Sequence, residues 1–123
     1  MKKENVSALR PVLHPRFRIT SGTKIAFGPG KADLLEQIAE TGSIGAAAAR
    51  MCMSYMRAWS LIQEMNKCFK QSVIKAARGG HEHGGAELTP AGRKVLALYR
   101  RMEHDSLKVI RVDWRALQKL LRV

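Results

Sequence analysis

The side chains in this chain best suited to recognition chemistry lie in or beside one segment, MSYMRAWSLIQEMN, which starts at Met53. Arg57 offers a planar fork of donors that matches guanine O6 and N7, a pairing that discriminates between bases by about 1–3 kcal/mol. The hydroxyls of Ser54, Tyr55 and Ser60 suit phosphates or base edges, and Met56 suits a thymine methyl. Lys67, just beyond the segment, is a compact point charge suited to phosphate. Two further groups extend the set: Ser43 upstream, and Arg78, His81 and His83 in the glycine-rich run RGGHEHGG, where the backbone can come close to a partner. Spread along one helix and one glycine-rich run, these residue types suit contacts to a polyanion.

The charge balance points the same way. Lys and Arg number 22 against 10 Asp and Glu, a formal charge of +12, and each phosphate neutralised by such a side chain releases condensed counterions. Both ends of the chain are more basic than its middle. The sequence holds no P-loop, GxSxG or HExxH, and its carboxylates are scattered, so an enzyme is not expected. Glu36 and Glu40 read as a solvated helix face. His81-Glu82-His83 supplies too few ligands for a structural or catalytic metal, so neither metal nor cofactor is expected. Cys52 and Cys68 form no CxxC pair and read as small buried hydrophobes. The N-terminus has no apolar signal region, and no apolar run nears the roughly 20 residues of a membrane span. A cytoplasmic, nucleoid-associated protein without a membrane partner is the expectation.

Two helices and a turn must position these residues. Ser43 caps a short helix with Ile44, Ala47 and Ala48 on its packing side, Met51, Cys52 and Met53 form the turn, and Ser54 caps the next helix. In that helix Ala58, Trp59, Ile62, Met65 and Phe69 read as an inward stripe, and Met53, Arg57, Ser60, Gln63 or Glu64, and Lys67 as the outward one. Upstream, Phe17 and Ile19 precede a Ser21-Gly22 turn and a return strand with Ile25 and Phe27. Leu34, Leu35 and Ile38 then mark a helix that stops at Gly42. Downstream, SVIKAA and AEL flank the glycine-rich run as a strand, loop, strand unit, and Thr89-Pro90 starts a helix that can continue to near the chain end. Its first apolar stripe is Val95, Leu98, Tyr99 and Met102. A second, out of phase, is Leu107, Ile110, Trp114, Leu117 and Leu121, and the shift near residues 104–106 is read either as a kink or as a change of packing partner.

The expected fold is mainly α with a small β wing: a winged helix-turn-helix with a long C-terminal helix. Residues 1–15 read as a flexible arm, 16–103 as the DNA-binding domain and 104–123 as a helical dimerisation segment. In a helix-turn-helix the second helix enters the major groove, which makes double-stranded DNA the expected partner. The uncovered second stripe calls for a second copy of the chain.

MSYMRAWSLIQEMN, the paired glycines and LTPAG resemble the N-terminal DNA-binding domain of the ModE-type, molybdate-responsive regulators, and more distantly the winged helix of LysR-type regulators. The resemblance covers about residues 16–103. It implies a dimer formed through flanking helices, a palindromic operator, and a reading helix that begins at Ser54 and Tyr55. Met56 and Arg57 stand where the family often has Lys or Ser, and the HEH of the wing departs from the usual Lys and Gly composition. Full-length relatives continue into a molybdate-binding β domain, whereas this sequence stops at Val123, so a stand-alone form that does not bind molybdate is expected. Two alternatives remain open at this point: a winged-helix module for protein partners, and a nonspecific nucleoid-type DNA binder.

Overall fold

A computed structural model describes residues 10–77 and 85–122. The element order is β1 (Ile19–Ser21), β2 (Lys24–Phe27), α1 (Pro29–Thr41), α2 (Ile44–Arg50), α3 (Tyr55–Cys68), β3 (Ile74–Ala76), β4 (Ala86–Leu88), α4 (Pro90–Val109) and α5 (Arg111–Gln118). The expected fold class is the observed one.

Each helix boundary has a local cause. Gly42 ends α1 in the left-handed region at φ 71°, and its N–H donates to Ile38 O, which satisfies a terminal carbonyl. Ser43 Oγ then accepts from Ala46 N, Ser54 Oγ from Arg57 N and Thr89 Oγ1 from Gly92 N, so all three expected caps are in place. The turn between α2 and α3 places Cys52 at φ 55°, a conformation that costs an L-residue roughly 1–2 kcal/mol.

The core lies where α1, α2 and α3 meet β2, the β3–β4 pair and the first half of α4. Phe27 is fully buried and sits edge-on to Phe69 at 5.8 Å and to Tyr99 at 5.1 Å, joining the N-terminal hairpin to α3 and α4. Tyr99 also donates its hydroxyl to Phe17 O at 2.6 Å. β1 and β2 pair antiparallel with a bulge between Ile19 and Thr20, and their turn falls at Gly22-Thr23, one residue later than expected. β3 and β4 pair antiparallel with Ile74 opposite Leu88 and Ala76 opposite Ala86.

The close approach of α4 to β3 depends on Gly92. A Cβ there would lie 2.0 Å from Val73 O. Farther along, Arg100 binds Asp33, Glu36 and Glu103 at 2.7, 3.1 and 3.0 Å, locking α4 onto α1. Burial opposes the charge of Arg100, but the hydrogen bonds from the three carboxylates outweigh it and hold the guanidinium above its ordinary pKa. Glu36 and Glu40 are therefore engaged in ion pairs, Glu40 with Arg50, and are not merely solvated.

Two further expectations need correction. Trp59 is 43% exposed, while Ala58, Ile62 and Met65 are buried and Phe69 is half-buried. The reason is angular: Ala58, Ile62, Met65 and Phe69 already fill the inward arc, and Trp59 stands about 100° around the helix from Ala58. Cys52 and Cys68 are both exposed, one at the turn and one in the last turn of α3. The question left open by the phase change, kink or new packing partner, meets a break nearby: α4 gives way to α5 at Ile110 (φ −93°, ψ 8°), beyond residues 104–106. Val109, Ile110 and Val112 are β-branched and lower the helix propensity there.

Candidate nucleic-acid interface

The turn after α2 and the Ser54 cap set the start of α3 on the surface. Tyr55, Met56 and Trp59 are 43%, 64% and 43% exposed, in a helix whose other side is anchored by Ala58, Ile62 and Met65. Met56, Ser60, Gln63 and Lys67 follow one another at steps of 4, 3 and 4 residues and face away from the core. Arg57, Leu61, Glu64 and Cys68 lie on the flank that faces β1 and β2. Tyr55 and Trp59 lie on the opposite flank, that of Asn66, whose side chain reaches β3.

Tyr55, Met56, Arg57, Ser60 and Lys67 thus share one helix, with Ser54 at its cap, but not one face: Arg57, expected on the outward stripe with Ser60 and Lys67, turns toward the hairpin flank. Ser43 is set apart. Its hydroxyl caps α2, its backbone N–H donates to Thr41 Oγ1, and it bridges to Gly85 at the base of the β3–β4 pair. Arg78, His81 and His83 lie outside the described residues. The strands that lead to them are fixed: Ala77 N donates to Gly85 O at 2.9 Å, and Ala86 N to Gly42 O at 3.0 Å.

Two residues matter more than the sequence reading allowed. Trp59 presents a large aromatic surface beside Tyr55, and its exposure had no signal in the 3-to-4 spacing, which fitted an inward position equally well. Asn66 joins α3 to β3: its Oδ1 accepts from Val73 N at 2.8 Å and Ile74 N at 3.3 Å, and its Nδ2 donates to Ile74 O at 3.2 Å. α3 and the start of β3 are therefore tied directly to each other.

Among the described residues, Arg57 and Lys67 make no salt bridge, and no group of His, Cys, Asp and Glu has the arrangement to hold a metal. No helix among them is long and apolar enough to cross a membrane. Along α4 and α5, Leu98, Met102, Ile110, Leu117 and Leu121 are exposed to between 41% and 52%, and α5 buries no residue. Leu107 and Trp114 are half-buried.

This geometry has known counterparts. The crystal structure of the CbnR DNA-binding domain in complex with DNA superposes with a TM-score of 0.55 at 23% identity, covering 72% of this chain and 95% of that one, and shows the shared fold. The molybdenum-pterin-binding protein MopB of Rhodobacter capsulatus is 42% identical over 88 residues, which are 72% of this chain and 33% of that protein. The DNA-binding transcriptional dual regulator ModE of Escherichia coli (strain K12) is 38% identical over 76 residues, 62% of this chain and 29% of that protein. The chain spans about a third of the length of these curated relatives. Residues 31–93 match the family model described as bacterial regulatory helix-turn-helix protein, lysR family, and run from the first helix through the wing to the start of α4. With that match over half its length, the chain belongs to the lysR family of bacterial regulatory helix-turn-helix proteins, a family of regulators and not of enzymes.

Proposed function

We propose that this chain is a sequence-specific DNA-binding transcriptional regulator that reads a palindromic operator as a homodimer. The observation that carries the proposal is the exposed start of α3, where Tyr55, Met56, Arg57 and Trp59 project from a capped, core-anchored helix. In a helix-turn-helix this end of the second helix meets base edges in the major groove. Arg57 is assigned to a guanine, Met56 and Trp59 to apolar surface such as thymine methyls, and Lys67 to a phosphate. Ser54, Tyr55 and Ser60 contribute hydroxyls to phosphates or bases. The relative named as a DNA-binding transcriptional regulator supports the reading. The proposal gives this chain no part in binding molybdate.

Dimerisation is supported by the uncovered apolar side of α4 and α5. Leu107, Ile110, Trp114 and Leu117 recur at 3 and 4 residue steps there, Leu121 follows just beyond the end of α5, and two symmetric reading helices would meet half-sites about 34 Å apart. Sedimentation should give a dimer at micromolar concentration; a monomer would remove this part of the proposal.

Selection of bound duplexes from a random pool tests the whole. The expected result is a palindromic site bound at least about a thousandfold more tightly than random duplex at physiological salt. A chain that binds every duplex equally, with a steep salt dependence, would be a nonspecific nucleoid-type binder. The same apolar side of α4 and α5 also favours a second reading, a module for a protein partner, for which DNA binding would be weak and nearly independent of salt.

A further inference from the structure

An open groove of about 780 Å³ runs between the N-terminal β1–β2 hairpin and the flank of α3. Arg18 and Lys24 on the hairpin line one wall, with Arg16 just before it, and Arg57 and Lys67 line the other. None of these five makes a salt bridge among the described residues. Glu64 is the one carboxylate in the lining, and it is taken up by Lys31 at 3.3 Å. The groove is therefore strongly cationic, with its only acid neutralised.

Lys31 also fixes the shape of the groove. It is 7% exposed, and its ammonium donates to Ile25 O at 2.6 Å while pairing with Glu64. One side chain from α1 thus holds the hairpin and the recognition helix at a set separation.

We propose that this hairpin is a second phosphate-binding element, which grips the DNA backbone on the side of α3 opposite the wing. The inference rests on the reading of α3 as the helix that enters the major groove. That groove is about 12 Å wide, so a helix lying in it has a sugar–phosphate strand along each flank. One strand passes the wing root, next to Asn66; the other must pass the flank of Arg57, Glu64 and Cys68, which is the cationic groove. Arg18 and Lys24 then face this strand from outside while Lys67 faces it from α3 and Arg57, at the inner edge of the groove, reaches past it to a base. A duplex backbone fits better than a small anion, because the cations are spread along an open channel and do not converge on one point.

The test is the salt dependence of binding by Arg18→Ala/Lys24→Ala, measured on a random-sequence duplex of about two helical turns and on the selected operator. Each phosphate contact contributes about −0.9 to the slope of log K against log salt, so the double variant should lose about 1.8 from the slope. At about 0.15 M salt that is five- to sixfold per contact and about thirtyfold in all, equally on both duplexes, with the operator-to-random ratio unchanged. Arg18→Lys/Lys24→Arg keeps both charges and should keep the slope, which guards against misfolding as the cause. Lys94→Ala/Arg101→Ala, on exposed positions of α4, removes the same net charge and should change the slope by much less.

A steep wild-type slope that survives Arg18→Ala/Lys24→Ala overturns the inference and leaves the proposed function standing. So does an equal loss in the α4 control. If the double variant keeps the slope but loses binding of inorganic phosphate, the groove is a small-anion site and the inference is wrong. A wild type with no salt slope on either duplex refutes the DNA reading itself, and the hairpin's role with it.

Discussion

Replacing Asn66 by alanine tests whether the recognition helix and the wing root behave as one unit. Three hydrogen bonds disappear together: two accepted from Val73 N and Ile74 N, and one donated to Ile74 O. At about 1 kcal/mol net for each bond the direct loss is about 3 kcal/mol. Val73 is fully buried and Ile74 is 5% exposed, so the donors left behind lack easy access to water. Stranding them raises the cost toward about 4 kcal/mol, a large part of the roughly 5–15 kcal/mol that holds a small domain together. Asn66→Asp keeps the acceptor for Val73 N and Ile74 N but sets a carboxylate oxygen against Ile74 O, so it should recover only part of the loss. Urea denaturation of the wild type and both variants, compared at equal m-value, measures these differences. Binding should weaken as well, because β3 and β4 lose their tie to α3. A loss below about 0.5 kcal/mol for Asn66→Ala would refute the assignment of Asn66 as the joint.

Other outcomes follow from the same geometry. Gly92→Ala forces a methyl toward Val73 O, 2.0 Å from its ideal position, so the start of α4 must shift; overpacking costs about 1–3 kcal/mol and outweighs a helix-propensity gain of up to about 1 kcal/mol. A thermal melt with an unchanged or raised midpoint would contradict this close approach. Tyr99→Phe removes the bond to Phe17 O and should cost about 1 kcal/mol near neutral pH. Burial, aided by Glu103, raises the Tyr99 phenol above 10, so its proton is held more tightly in the folded state than in the unfolded one. That contribution is complete below pH of about 10 and is lost as pH rises through the raised folded value, so the wild type should lose more stability than Tyr99→Phe in alkali; parallel pH profiles would refute it. Arg57→Ala should relax base preference at one operator position by about 1–3 kcal/mol, while Lys67→Ala should weaken all sequences alike and reduce the salt slope by about 1. Equal effects of both variants on specificity, measured by binding competition, would contradict the separate roles.

Local chemistry determined much of this protein from sequence alone. The caps at Ser43, Ser54 and Thr89 and the glycine stop at Gly42 act through neighbours within four residues, so their bonds were legible before any tertiary contact was known. The helix-turn-helix, the strands around the glycine-rich run and the basic character of the chain follow from the same short-range signals and from composition. Which side of α3 faces inward was only partly legible. A spacing of 3 to 4 residues fitted Ala58 and Trp59 alike, and the packing of α1, α2 and β2 against α3 chose Ala58. The exposure of Cys52 and Cys68 was decided in the same way, by which surfaces the neighbouring elements happen to cover. Long-range partners had no sequence signal at all. Asn66 reaches β3, Lys31 spans the hairpin and α3, and Arg100 gathers carboxylates from 64 and 67 residues away. Sequence fixes what each segment prefers, because those preferences arise from bonds within a turn or two. The cationic groove beside the recognition helix exists only in the folded chain, because its walls come from segments that meet through packing.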